Sequence, residues 1–103
     1  LGIESAPLPL TAGLLLVSED GRVHLTLHAG GTVIGREEGD LVLDWDSAAS
    51  RRHACVHLED GDLWIEDLGS TNGTHVNGHR IGGKVLLNRG DVVMVGQTRL
   101  RVQ

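Results

Sequence analysis

Three short loops concentrate side chains able to hold an anion. Gly35-Arg36 follows the apolar run Thr32-Val33-Ile34, Ser50-Arg51-Arg52-His53 leads into an alternating stretch that begins at Ala54, and Ser70-Thr71-Asn72-Gly73 precedes Thr74-His75-Val76. Guanidinium groups only donate hydrogen bonds, while hydroxyls and carboxamides donate and accept. Gathered at the ends of neighbouring strands, such groups form a compact cluster of donors suited to an anion.

That anion site has to be local. With a formal net charge of -5, the chain lacks the surplus of Lys and Arg that neutralising a nucleic-acid backbone requires, so no nucleic-acid partner is expected. Lys84 is the sole Lys among nine basic residues, and the rest are Arg, the better residue for forked recognition of phosphate or carboxylate. Cys55 is the one cysteine, so no internal disulfide is possible. No apolar run approaches the roughly 18 residues of a membrane helix, and no direct membrane insertion is expected. A cytoplasmic setting fits these features. The chain starts at Leu1 without Met and reads as a piece of a longer protein, so a missing targeting signal says little about the parent.

The elements that must position the loops are short strands. Apolar or alternating runs fall at 14–17, 23–28, 32–34, 41–43, 54–59, 63–67, 74–76, 79–81, 85–87, 91–95 and 98–102, with Gly, Asn or Asp between most of them. Asp60-Gly61 and Asn77-Gly78 are preferred two-residue hairpin turns. Phe and Tyr are absent, so Leu, Val and Ile must build the core. The expectation is an all-β domain, a two-sheet β-sandwich of about ten to eleven short, mostly antiparallel strands. At 103 residues there is room for one such domain, assigned to residues 13–103. Residues 1–12, with Pro7 and Pro9, read as an N-terminal arm or linker.

Other chemistries fit less well. Six histidines form the pairs His24/His28, His53/His57 and His75/His79. Four-residue spacing suits metal ligation on a helix, but on a strand it separates Cα atoms by roughly 13 Å. No metal and no cofactor are expected. A Ser50 nucleophile with His53 as base would lack an orienting acid and a nucleophile elbow, so no catalysis is expected. Asp44 and Asp46 flank Trp45 and read as solvating a loop. Cys55 has outward parity on its strand, which would make it accessible.

Taken in order, Gly35-Arg36, Ser50-x-x-His53 and Asn72-Gly73, within Asp67-Leu68-Gly69-Ser70-Thr71-Asn72-Gly73-Thr74, resemble the forkhead-associated (FHA) domain, a β-sandwich that binds phosphothreonine peptides. The resemblance covers roughly residues 14–102. It implies that Arg36 and Ser50 contact the phosphate, with Arg51 and Thr71 beside them, and that Asn72 holds the main chain of the peptide. His53 would brace the loop presenting Ser50, while Gly35 and Gly73 would support the site. The implied partner is a phosphothreonine-containing protein, with a Ser/Thr kinase upstream. A phosphate-independent assembly module on the same fold is the alternative.

The sequence departs from the family pattern in places. The loop after Arg36 looks one residue short, the loop before Ser50 one residue long, and Ser47 stands where Pro is frequent. Trp45 is the unusual feature. Either it contacts the peptide a few residues after the phosphothreonine or its indole packs on the edge of the sandwich. Asp44 and Asp46 would disfavour acidic residues downstream in the ligand.

Overall fold

The computed structural model describes residues 13–103; the arm expected over residues 1–12 lies outside the described residues. Eleven strands follow in chain order: β1 (Leu15–Ser18), β2 (His24–Thr26), β3 (Gly30–Gly35), β4 (Leu41–Val42), β5 (Ala54–Glu59), β6 (Asp62–Asp67), β7 (Thr74–Val76), β8 (His79–Arg80), β9 (Val85–Leu87), β10 (Val92–Val95) and β11 (Thr98–Val102). They form a six-stranded sheet in the order β2-β1-β11-β10-β7-β8 and a five-stranded sheet in the order β4-β3-β5-β6-β9. The two-sheet all-β sandwich expected from the turn spacing is the observed architecture. No helix among the described residues is long and apolar enough to cross a membrane.

Alternation on the strands makes the core. Thr98, Leu100 and Val102 of β11 point inward while Arg99 and Arg101 face out, and Leu16, Val93 and Val95 join them from β1 and β10. Ile34, Val56, Leu58, Leu63 and Ile65 close the core from the other sheet. Both hairpin turns hold: Asp60 and Gly61 have φ of 50° and 83°, and Asn77 and Gly78 have 51° and 85°. Positive φ at both central residues matches the right-handed twist of the flanking strands.

One pairing runs against the rule. β3 and β4 are consecutive yet parallel, with Ile34 opposite Leu41 and Gly35 opposite Val42. Parallel neighbours ordinarily need a long crossover. Here residues 36–40 fold back on β3 instead: Asp40 donates its N–H to the Val33 carbonyl at 2.8 Å, and its carboxylate accepts the Val33 N–H at 2.9 Å. The consequence is a tight knuckle carrying Arg36 at the end of β3.

Two expectations about single side chains fail. Cys55 does lie on the outward face, opposite Val33 and Glu66, but it is only 6% exposed, and burial pushes its thiol pKa up. Asp46 does not solvate its loop: it is 4% exposed and accepts three hydrogen bonds.

Candidate functional site

The site lies at one end of the five-stranded sheet. Because β3 and β6 are both antiparallel to β5, the end of β3, the start of β5 and the end of β6 share one edge. Loops 36–40, 43–53 and 68–73 therefore meet there.

Gly35 is where two of them touch. A Cβ on Gly35 would stand 2.1 Å from the carbonyl oxygen of Arg51 and 2.4 Å from that of Glu38, so only glycine admits both backbones. Through that approach Arg36 N–H donates to the Ser50 carbonyl at 2.9 Å, and Glu38 N–H to the Arg51 carbonyl at 2.9 Å. Arg36 and Ser50 are thereby held side by side by backbone.

His53 fastens the second loop to the third. Its ring is fully buried; Nδ1 accepts the Ser50 N–H at 3.0 Å, which leaves Nε2 to donate to the Gly73 carbonyl at 2.9 Å. Gly73 can present that carbonyl because it sits at φ +81°, where L side chains are strained. Ser50 Oγ accepts the Thr71 N–H at 3.0 Å, so the Ser50 hydroxyl proton stays available to a ligand. Asn72 donates one amide N–H to the Ala48 carbonyl at 2.8 Å, a second tie between the same two loops.

Two carboxylates to which sequence reasoning assigned no anchoring part hold the frame. Asp67, at the end of β6, accepts N–H groups of Gly69 at 2.9 Å and Ser70 at 3.0 Å, the Thr74 hydroxyl at 2.8 Å, and the Ser70 hydroxyl. Asp46 accepts the Ala48 N–H at 3.0 Å, the Gln97 N–H at 2.8 Å and the Thr98 hydroxyl at 2.6 Å, fixing the 43–53 loop to the β10–β11 turn. Burial would raise both acids, but their hydrogen bonds outweigh it and hold both pKa values below the ordinary range. The Asp-x-Gly-Ser string at a strand end was a legible signal for Asp67. Asp46 had none, because the partners that bury it, Gln97 and Thr98, lie about fifty residues away.

The loops enclose an open groove of about 470 Å³ lined by Arg36, Ser50, Arg51, Thr71 and Asn72, with Arg52 and the segment 47–49 completing it. All five side chains expected to meet the ligand thus converge, and Gly35, His53 and Gly73 lie behind them. Arg36 is half-buried, and its Nε has no hydrogen-bond partner among the described residues. Glu37 reaches both arginines, at 3.6 Å from Arg36 Nη2 and 3.2 Å from Arg51 Nε, while Glu38 stands 3.5 Å from Arg51 Nη2. Two carboxylates of the β3–β4 loop thus lie on the guanidinium groups of this groove.

Trp45 stands apart from this groove. It lines a neighbouring one with Asp46, Gln97 and the β1–β2 turn, and Arg22 stacks over its ring at 5.0 Å. Ser47 lines both grooves, so the two are neighbours. Among the described residues no group of three or more His, Cys, Asp or Glu side chains could hold a metal ion.

Comparison with known proteins agrees with this fold. The FHA domain family model matches residues 32–96. The glycogen accumulation regulator GarA of Mycolicibacterium smegmatis is 39% identical over 102 residues, a match that spans 96% of this chain and 62% of that protein. The chain therefore covers a little under two thirds of that relative's length. Among solved structures, an FHA domain from a structural and functional analysis of phosphothreonine-dependent FHA interactions superposes with a TM-score of 0.80 at 32% identity, covering 87% of this chain and 94% of that one. Mycobacterium tuberculosis EmbR, solved with a low-affinity phosphopeptide, gives a TM-score of 0.81 at 34% identity, covering 87% of this chain and 24% of that one.

Proposed function

The chain belongs to the FHA domain family, and from that premise we propose that its sandwich, residues 13–103, binds phosphothreonine-containing protein segments through the Arg36 groove and performs no catalysis of its own. The observation that carries this reading is the convergence of Arg36, Ser50, Arg51 and Thr71 on one open groove whose frame is locked from behind. A phosphothreonine brings about -1.5 to -2 charges and three acceptor oxygens. Arg36 and Arg51 supply forked donors, the Ser50 hydroxyl a short one, and each such charge-assisted bond contributes roughly 1.5–3 kcal/mol. Thr71 adds a hydroxyl at the rim. Asn72, with one N–H committed to Ala48, keeps its Oδ1 and second N–H for the peptide main chain.

Preference for phosphothreonine over phosphoserine would rest on one methyl group, worth roughly 1–3 kcal/mol in a small apolar niche. Trp45, one groove away, is suited to contact residues beyond the phosphothreonine. The biological role is recruitment of a phosphorylated partner, produced by a Ser/Thr kinase, to the rest of the parent protein in the cytoplasm. Names among the relatives, a glycogen accumulation regulator and an oxoglutarate dehydrogenase inhibitor, support a regulatory rather than a catalytic part.

An oriented phosphothreonine peptide library, read by fluorescence anisotropy beside phosphoserine and unphosphorylated versions, tests the proposal. Binding that needs the phosphate and favours Thr is expected. Equal binding with and without phosphate would leave the groove without its ligand and favour the assembly-module alternative.

A further inference from the structure

The cations of this acidic chain are unevenly spread. In an antiparallel sheet, residues directly opposite one another project from the same face. On the six-stranded sheet Met94 pairs with Arg99 on one side and His75 on the other, and His75 pairs in turn with Arg80. A second row runs from Val92 through Arg101 and Val17 to His24. Both rows face outward: Arg80, Arg99 and Arg101 are exposed, and Val17, His75, Val92 and Met94 are half-buried.

These three arginines have no carboxylate within ion-pairing distance among the described residues, unlike Arg22, Arg36, Arg51 and Lys84. Arg101 donates to a backbone carbonyl, that of Gly90, at 3.3 Å. Nearby acids are few. Asp91 is occupied by Asn77 and the Asn88 N–H, and Glu19 stands at the rim. The outward rows of the opposite sheet instead carry Glu59, Asp62 and Glu66. A shallow depression of about 540 Å³ lies over Val92 and Met94, walled by Arg99, Arg101 and His75. It shares Glu19 and Arg99 with the Trp45 groove, which shares Ser47 with the phosphate groove. The sheet face thus neighbours the Trp45 groove, which in turn neighbours the phosphate groove.

We propose that the outer face of the six-stranded sheet, across β8, β7, β10 and β11, is a second docking surface that takes an acidic segment with interspersed apolar residues from the same phosphorylated partner. The inference takes its anchor from the phosphothreonine reading. Unpaired arginines in rows call for carboxylates, and half-buried Val92 and Met94 beside them offer apolar contact that a nucleic-acid backbone would not use. The net charge of -5 opposes a nucleic acid further.

The test compares a short phosphothreonine peptide with versions extended at either end by about ten residues of alternating Glu and Leu, which reach on the order of 33 Å. Both are titrated by anisotropy into wild type, Arg99→Glu/Arg101→Glu, and the milder Arg99→Gln/Arg101→Gln. One extension is expected to tighten wild-type binding about fivefold or more, the gain falling in both variants and in high salt, while the short peptide binds all three proteins alike. No gain from either extension, or a gain that persists in both variants, overturns the proposal. Should the short peptide fail to bind wild type, the phosphothreonine reading falls. The face is then judged by amide shifts on adding the unphosphorylated Glu-Leu peptide, which must cluster on β7, β10 and β11 or the proposal falls as well. Single-stranded DNA binding this face more tightly than the peptide would also overturn it.

Discussion

His53 and Ser50 are joined through the ring rather than through the hydroxyl: Nδ1 of the buried imidazole accepts the Ser50 backbone N–H at 3.0 Å, leaving Ser50 Oγ to accept from Thr71. His53 therefore shapes the site without entering it. Its other nitrogen, bonded to the Gly73 carbonyl at 2.9 Å, fixes the third loop against the second.

Replacing His53 by Ala leaves the Ser50 N–H and Gly73 carbonyl without their partner and opens a cavity. A stability loss of about 2–4 kcal/mol is expected in urea denaturation. Phosphopeptide affinity should fall with it at temperatures where the variant is still folded. A variant of unchanged stability would show that the loops are held by other contacts.

Asp46 and Asp67 tie the loops through ionised carboxylates. Their folded pKa values lie below the ordinary 3.8, so the unfolded chain binds more protons as the solution is acidified. The stability they contribute is complete above the unfolded value and is lost as pH falls through 3.8 and on through the folded pKa. Melting temperature should drop steeply below about pH 4, and less steeply in Asp67→Asn, which starts from lower stability. Parallel pH profiles for wild type and Asp67→Asn would contradict this.

Glu37 lies against Arg36 and Arg51 and, on the proposed phosphothreonine reading, would compete with the ligand for both. Its ion pairs are half-exposed and weak, worth at most about 1 kcal/mol, so Glu37→Gln should tighten phosphopeptide binding only about two- to fivefold. Calorimetric titration at low salt would detect the change. Weaker binding by the variant would mean that Glu37 assists the ligand instead.

Trp45 lines the second groove and not the first. Trp45→Ala should therefore leave a minimal phosphothreonine peptide within about twofold of wild type, yet reorder the ranking of peptides extended beyond it. An unchanged ranking in the library screen would confine the indole to packing against Arg22.

Local chemistry carried most of the architecture. Asp60-Gly61 and Asn77-Gly78 prescribe their turns through left-handed backbone, and the alternation of β11 announces its two faces. The convergence of the Arg36, Ser50 and Thr71 loops was also legible, since residue order on strand ends places them on one edge. What escaped was set by distance along the chain. Asp46 reads as a solvating acid until Gln97 and Thr98 arrive from β10–β11 to bury it, which leaves only Asp44 exposed to oppose acidic residues in a ligand. The parallel β3–β4 pair escaped because so short a connection between parallel strands depends on Asp40 bonding both ways to Val33. Cys55 kept its outward parity and still lost its exposure, because parity sets direction and neighbouring side chains set cover.

The most direct test of the central claim is the affinity of one library-selected phosphothreonine peptide for wild type and for Arg36→Ala. A loss of about 2 kcal/mol or more, with the fold intact by circular dichroism, is predicted from the removal of a charge-assisted donor at the phosphate. Equal affinity in the two proteins would place the phosphate elsewhere and contradict the assignment of this groove.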